Sequence, residues 1–216
     1  MKYKNKFQHI IFELAEHLPY SIFSVMVGML LMGVLSFLAI LARAEHLLPQ
    51  ASKELFHVFH PAHILFSAVA TTAMFVKHEK RLLKAVLVGF IGSITICGLS
   101  DIFFPFFGGV ILGQKMQMHL CIINEPGLVF PFAIIGVLAG LLIANTIEHS
   151  TVYSHSAHVF VSSVASILYL ISYGLYDWIH LAGGVFLVTV VAVVIPCCVS
   201  DVVFPLCCVH NKCDHD

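Results

Sequence analysis

Two short segments of this sequence carry paired histidines at helical spacing. HPAHILFSAVA (residues 60–70) and HSAHVFVSSVA (155–165) agree at six of eleven positions, including both histidines and the alanine between them. His60 and His63 are three residues apart, as are His155 and His158, so on a helix each pair shares a face. Two imidazoles on one face offer two nitrogen ligands to a single metal ion. A second pair of segments adds carboxylates. CGLSDIFFPF (97–106) aligns with CCVSDVVFPL (197–206), with Cys, Ser, Asp, Phe and Pro recurring in register. Asp101 and Asp201 can each contribute an oxygen from a neighbouring helix. A set of two histidines and a carboxylate suits Zn²⁺, Fe²⁺ or Mn²⁺, whereas Ca²⁺ and Mg²⁺ prefer all-oxygen shells.

Other polar residues extend these sets. Pro105 and Pro205 follow the aspartates and should break the helix there, freeing carbonyls beside each acid. Glu125 can join the first set, and His17 the second. Cys97 and Cys197 share a helical face with the aspartates and read equally well as soft ligands or as small apolar residues. The plainer reading of each His and Asp is a mutual hydrogen bond that staples helices. The Ser of each Ser-Asp pair should bond back to the carbonyl four residues earlier. Duplication of both motifs favours metal ligation over the staple.

The elements that must position these groups are apolar. The chain is 59% hydrophobic and 11% charged, with a mean hydropathy of +0.96, against about 25% charge in soluble domains. Runs of roughly twenty uncharged residues are long enough to cross a bilayer as helices. The first begins near Tyr20 with no small-residue cleavage site after it, so it reads as a retained span and not a signal peptide. The breaks predict an all-α integral membrane protein with six transmembrane helices, about 20–42, 56–76, 84–107, 126–146, 156–176 and 180–206. Tyr173, Tyr176 and Trp178 cluster at the last break, as aromatics do at a membrane interface. Gly28, Gly33, Gly136 and Gly140 should let helices approach closely. The net charge of −1 says nothing about nucleic acid, but with no basic stripe and no folded aqueous domain to carry one, no nucleic-acid partner is expected.

Both motifs recur in the same order, so the chain reads as one transmembrane domain, residues 1–216, built from two three-helix repeats, about 8–113 and 114–208. An odd number of spans per repeat inverts the second copy, a plan common in secondary transporters. With the N-terminus in the cytoplasm, eight Lys and Arg fall inside and three outside, which predicts a cell (inner) membrane protein with both termini cytoplasmic. The seven cysteines then read as free thiols, or soft ligands, at a reducing face, and the Cys/His-rich tail, residues 207–216, as cytoplasmic.

The sequence therefore implies a multi-pass transporter or permease for a divalent transition-metal ion, with the metal and the lipid bilayer as its partners and room for a homodimer. Protons are natural coupling ions, since metal binding to His and Asp releases them. Two metal clusters are expected, either at opposite faces or merged near the midplane. The alternatives are an intramembrane metal-dependent hydrolase, which needs one asymmetric site, and a membrane metal-binding or haem protein that transports nothing. The repeat symmetry argues for transport over an enzyme.

Overall fold

The computed structural model describes residues 6–144 and 151–198. Those residues are all-helical, with no strand. Helix α1 (Lys6–Leu41) is followed by α2 (Leu48–His78), α3 (Leu82–Gly98) and α4 (Phe104–Ile111). A short α5 (Cys121–Asn124), α6 (Pro126–Ile143), α7 (Thr151–Ser172) and α8 (Ala182–Cys198) complete the order. Among the described residues, four stretches are long and apolar enough to cross a membrane: Leu18–Leu41, Glu45–Lys77, Leu82–Ile111 and Pro126–Ile143. Ala157–Ser172 and Ala182–Pro196 are shorter apolar helices.

Side chains are distributed inside out relative to a soluble domain. Phe23, Leu30, Leu41, Leu83, Ile111 and Leu142 are exposed, while Ser67, Thr71, Ser93, Ser100, Ser162 and Ser166 are fully buried. In water, so wide an exposed apolar surface would cost about 25 cal/mol for each Å². In lipid it costs nothing, and the polar groups instead seek one another in the interior. Helix α2 is the hub, packing on α3, α6 and α7, while α1 packs on α7 and α8.

Several elements differ from the sequence expectation. Helix α1 begins at Lys6, ahead of residue 20, because no Gly or Pro stops it before Pro19, which lies inside the helix. Pro105 does not break its helix. Leu99–Phe103 instead forms a five-residue π-helical turn that leads directly into α4. A π turn widens the backbone locally, accommodates the missing donor and commonly marks functional positions. Trp178 and Tyr173 are buried, and the indole Nε1 donates to Ser36 Oγ at 3.1 Å. The Trp178 bond ties α1 to the α7–α8 turn, and of the three aromatics only Tyr176 faces outward. Between α2 and α3 the turn is fixed by the buried Glu79, which accepts from Arg81 Nε and Lys84 Nζ, each at 3.2 Å.

Close helix approach rests on particular glycines. A Cβ on Gly136 would lie 2.6 Å from Leu65 O of α2, and one on Gly140 2.8 Å from Val69 O. Gly33 has nothing within 4 Å of that position, so it carries no such contact. Gly136→Ala should therefore force α6 off α2 and cost about 1–3 kcal/mol, read as an earlier unfolding transition in detergent. Gly33→Ala should leave stability unchanged or raise it by up to about 1 kcal/mol through helix propensity.

Candidate metal centre

His63 is the middle residue of α2, and around it the helices bury a connected polar cluster. His60 and His63 come from α2, Asp101 from the π turn and His158 from α7; each is 2% exposed or less. Asp101 Oδ2 accepts from His60 Nδ1 at 2.8 Å and from His63 Nδ1 at 2.7 Å. Asp101 Oδ1 accepts from Ser100 Oγ at 2.7 Å and from Ser162 Oγ at 3.1 Å. Four donors thus surround one carboxylate. Ser166 Oγ donates to Ser100 O at 3.1 Å, so an α7 serine satisfies a carbonyl of the π turn. Ser100 bonds forward to Asp101 and not back to its own helix, because the π turn aims it at the acid.

The hydrogen bonds constrain the tautomers. Donation from Nδ1 places the acceptor lone pair of a neutral His60 or His63 at Nε2. His63 Nε2 stands 3.2 Å from His158 Nε2, with the rings edge to face at 4.5 Å. That spacing suits one imidazole donating to the other. It also matches the spacing of about 3.3 Å that two imidazole nitrogens take when bonded to one tetrahedral Zn²⁺. A carboxylate that orients a histidine through its other nitrogen is the usual outer partner of a metal-binding imidazole. Among the described residues no Lys or Arg pairs with Asp101. Its charge must be balanced by an added proton on the histidines or by a bound cation.

A second group lies toward the α2 N-terminus. His57 Nε2 is 3.3 Å from His119 Nε2. With Cys121 Sγ, these ligand atoms all lie within 4.8 Å of one another, a group that can hold a metal ion. His119 sits in an irregular segment yet is held three ways. Its ring stacks on Tyr173 at 4.8 Å, its Nδ1 meets the Asn124 amide at 2.9 Å, and its backbone N–H donates to Tyr169 Oη at 3.2 Å. The segment lies flat against the end of α7, where Gln117 N donates to Tyr173 O at 2.7 Å. Gly174, at φ +149°, makes room there: a Cβ would come within 2.6 Å of Lys115 O.

Electrostatics tie the groups together. Burial lowers the His119 imidazole below its ordinary range, His57 and Lys53 push it further down, and Glu125 opposes them. Burial pushes the Cys121 thiol up to about 12, and the charges of Asp101 and Glu125 add to it. His119 thus offers a neutral ring, and Cys121 must lose a proton to ligate.

Of the residues named from sequence, His60, His63, Asp101 and His158 are brought together. Glu125 is exposed and belongs to the rim of the His57–His119–Cys121 group, because α6 starts there and points it outward. His155 and His17 lie on α7 and α1, with side chains outside the described set, and Asp201 with Pro205 lies outside the described residues. Cys97 is buried in the apolar core. His57 was legible as a third member of the H-x-x-H-x-x-H register, but His119 and Cys121 carry no spacing signal.

The four-donor shell around Asp101 makes a specific prediction. Asp101→Asn replaces one acceptor by an NH₂ that faces two donors, and should cost about 3–5 kcal/mol of stability. Ser162→Ala should cost only about 1 kcal/mol. Denaturant unfolding in micelles checks both, and an unchanged midpoint for Asp101→Asn would contradict the network.

No protein family matches the chain, and neither a curated protein nor a solved structure matches it.

Proposed function

We propose that the chain is a multi-pass membrane permease for a divalent transition-metal ion, Zn²⁺, Fe²⁺ or Mn²⁺, which passes through the His60–His63–Asp101–His158 cluster. The observation that carries this reading is the meeting of His63 and His158 at 3.2 Å. They occupy the same position in the two HxAH motifs. Equivalent residues touch one another only near a two-fold axis, so the contact supports six spans arranged as two inverted repeats. The packing supports it as well. With α1, α2 and the α3–α4 span matched to α6, α7 and α8, the α2–α6 contact has its counterpart in α7–α1, and α2–α3 in α7–α8.

Such an axis lies in the membrane plane, and transporters of this plan bind their cargo at the midplane between repeats. A file of polar side chains runs along α2 in both directions from the cluster, from His57 through His60, His63 and Ser67 to Thr71. At 1.5 Å per residue it covers about 21 Å, most of a hydrocarbon core about 30 Å thick. The cluster itself is sealed. A groove of about 550 Å³ lined by Pro19, Tyr20, Phe23, Ser24, Val27 and Phe160 lies elsewhere and is almost wholly apolar. A sealed central site is the occluded stage of alternating access, which rocking of one repeat on the other opens to either face. Rings 4.5 Å apart leave no room for a porphyrin between His63 and His158, which disfavours the haem alternative.

Loss of even an outer partner of a metal-binding histidine costs about 10–100-fold. In liposomes, His63→Ala with His158→Ala should lower Zn²⁺ flux by about 100-fold or more, and Asp101→Asn by about 10–100-fold. Full flux in the double variant would refute the route. Bound metal without flux in the unaltered chain would make it a structural staple.

A further inference from the structure

We propose that His57, His119 and Cys121 form a second metal site, selective for a thiophilic divalent ion of the Zn²⁺ type, which loads the central cluster from one side only. The inference rests on the permease reading for its loading role, but the site stands on its own geometry. Two imidazole Nε2 atoms at 3.3 Å have the spacing of about 3.3 Å set by Zn–N bonds and a tetrahedral angle. Cys121 Sγ lies within 4.8 Å of both nitrogens, and a tetrahedral Zn²⁺ would draw it to about 3.6 Å from each. Three protein ligands leave a fourth position open, as in sites that exchange what they bind. The rim carboxylate of Glu125 or a water can take it.

The three ligands come from separate places and are individually held. His57 is on α2, His119 on the tethered segment and Cys121 at the start of α5. Both histidines are half-buried, so the site is reached from outside, whereas the central cluster is closed. His57 and His60 are successive turns of α2, about 4.5 Å apart along the axis. His60 stacks on Phe56 at 5.3 Å, and Phe56 meets Tyr173 and Tyr169 edge-on at 6.0 and 5.5 Å. An aromatic box therefore separates the two stations and leaves the His57-to-His60 step along α2 as the polar way between them. Thiolate favours Zn²⁺ over the harder Mn²⁺, so the outer station acts as the filter.

One-sidedness follows from the repeat. The position equivalent to His57 in the second HxAH segment is Val152. At that register the second half lacks the imidazole ligand, and among the described residues no matching station stands on its side. Symmetric alternating access thus acquires a loading face and a release face.

Co²⁺ titration of the purified full-length chain tests this, because thiolate ligation gives Co²⁺ an intense near-ultraviolet charge-transfer band that imidazole and carboxylate do not. The chain should have Cys197, Cys198, Cys207, Cys208 and Cys213 replaced by serine, leaving Cys97 and Cys121. We expect the band in this chain, its loss in Cys121→Ser, its weakening in His119→Gln, and its survival in Cys97→Ser and in His63→Ala with His158→Ala. Mn²⁺ should not displace the Co²⁺, and Zn²⁺ should. Absence of the band, or its survival in a Cys121→Ser chain of unchanged helicity, overturns the site. Cys121→Ser should also raise the Zn²⁺ concentration for half-maximal flux by about tenfold; an unchanged value overturns the loading role. Because the band reports binding, a chain that shows it but passes no ion refutes the permease reading and leaves the site standing.

Discussion

One carboxylate organises this molecule. Asp101 is fully buried within an apolar span, where an unsatisfied charge is prohibitively costly. Its four donors come from α2, α7 and the π turn itself. The requirement to satisfy it fixes the rotation of α2 and α7 about their axes. It also explains why the span adopts a π turn where a straight helix would carry the acid away from its donors. Hydrogen bonds meet the geometric demand. They do not supply the charge, which a proton on the histidines or, on the proposed reading, a cation at the facing imidazoles would balance. The proposed function follows from that remaining electrostatic need.

The surrounding helices satisfy a different constraint. Lipid gives no hydrophobic reward for helix association, so packing depends on small residues and on polar contacts. Gly136 and Gly140 bring α6 onto the α2 backbone, and α7 is buried on all sides from Ser162 to Ile171. The same serines that make α7 polar inside hold the π turn and the acid. Stability and site therefore use one set of residues, and substitutions in the cluster will act on both.

Much of this was legible in the sequence, for a physical reason. Duplication marks the residues that both halves need, so His60, His63, Asp101 and His158 stood out as repeated polar groups in apolar runs. Spacing on a helix then placed them on shared faces. The π turn was not legible, because Pro105 signals only that the α-helical ladder must change and leaves open whether it breaks or widens. The outer group was missed because His119 and Cys121 lie in a segment without periodicity, positioned by the Tyr173 ring, the Asn124 amide and the space over Gly174. Trp178 was misread as an interfacial aromatic because composition cannot tell a membrane rim from a buried corner that offers Ser36 as acceptor.

The central claim is that a transition-metal ion completes the cluster between the two repeat-equivalent histidines. Crystals grown with Zn²⁺ and measured at the zinc absorption edge test it most directly. The account predicts an anomalous peak about 2.0–2.1 Å from both His63 Nε2 and His158 Nε2, with His63 Nδ1 still donating to Asp101. A map with zinc only at other positions, and the two imidazoles still bonded to each other, would contradict it.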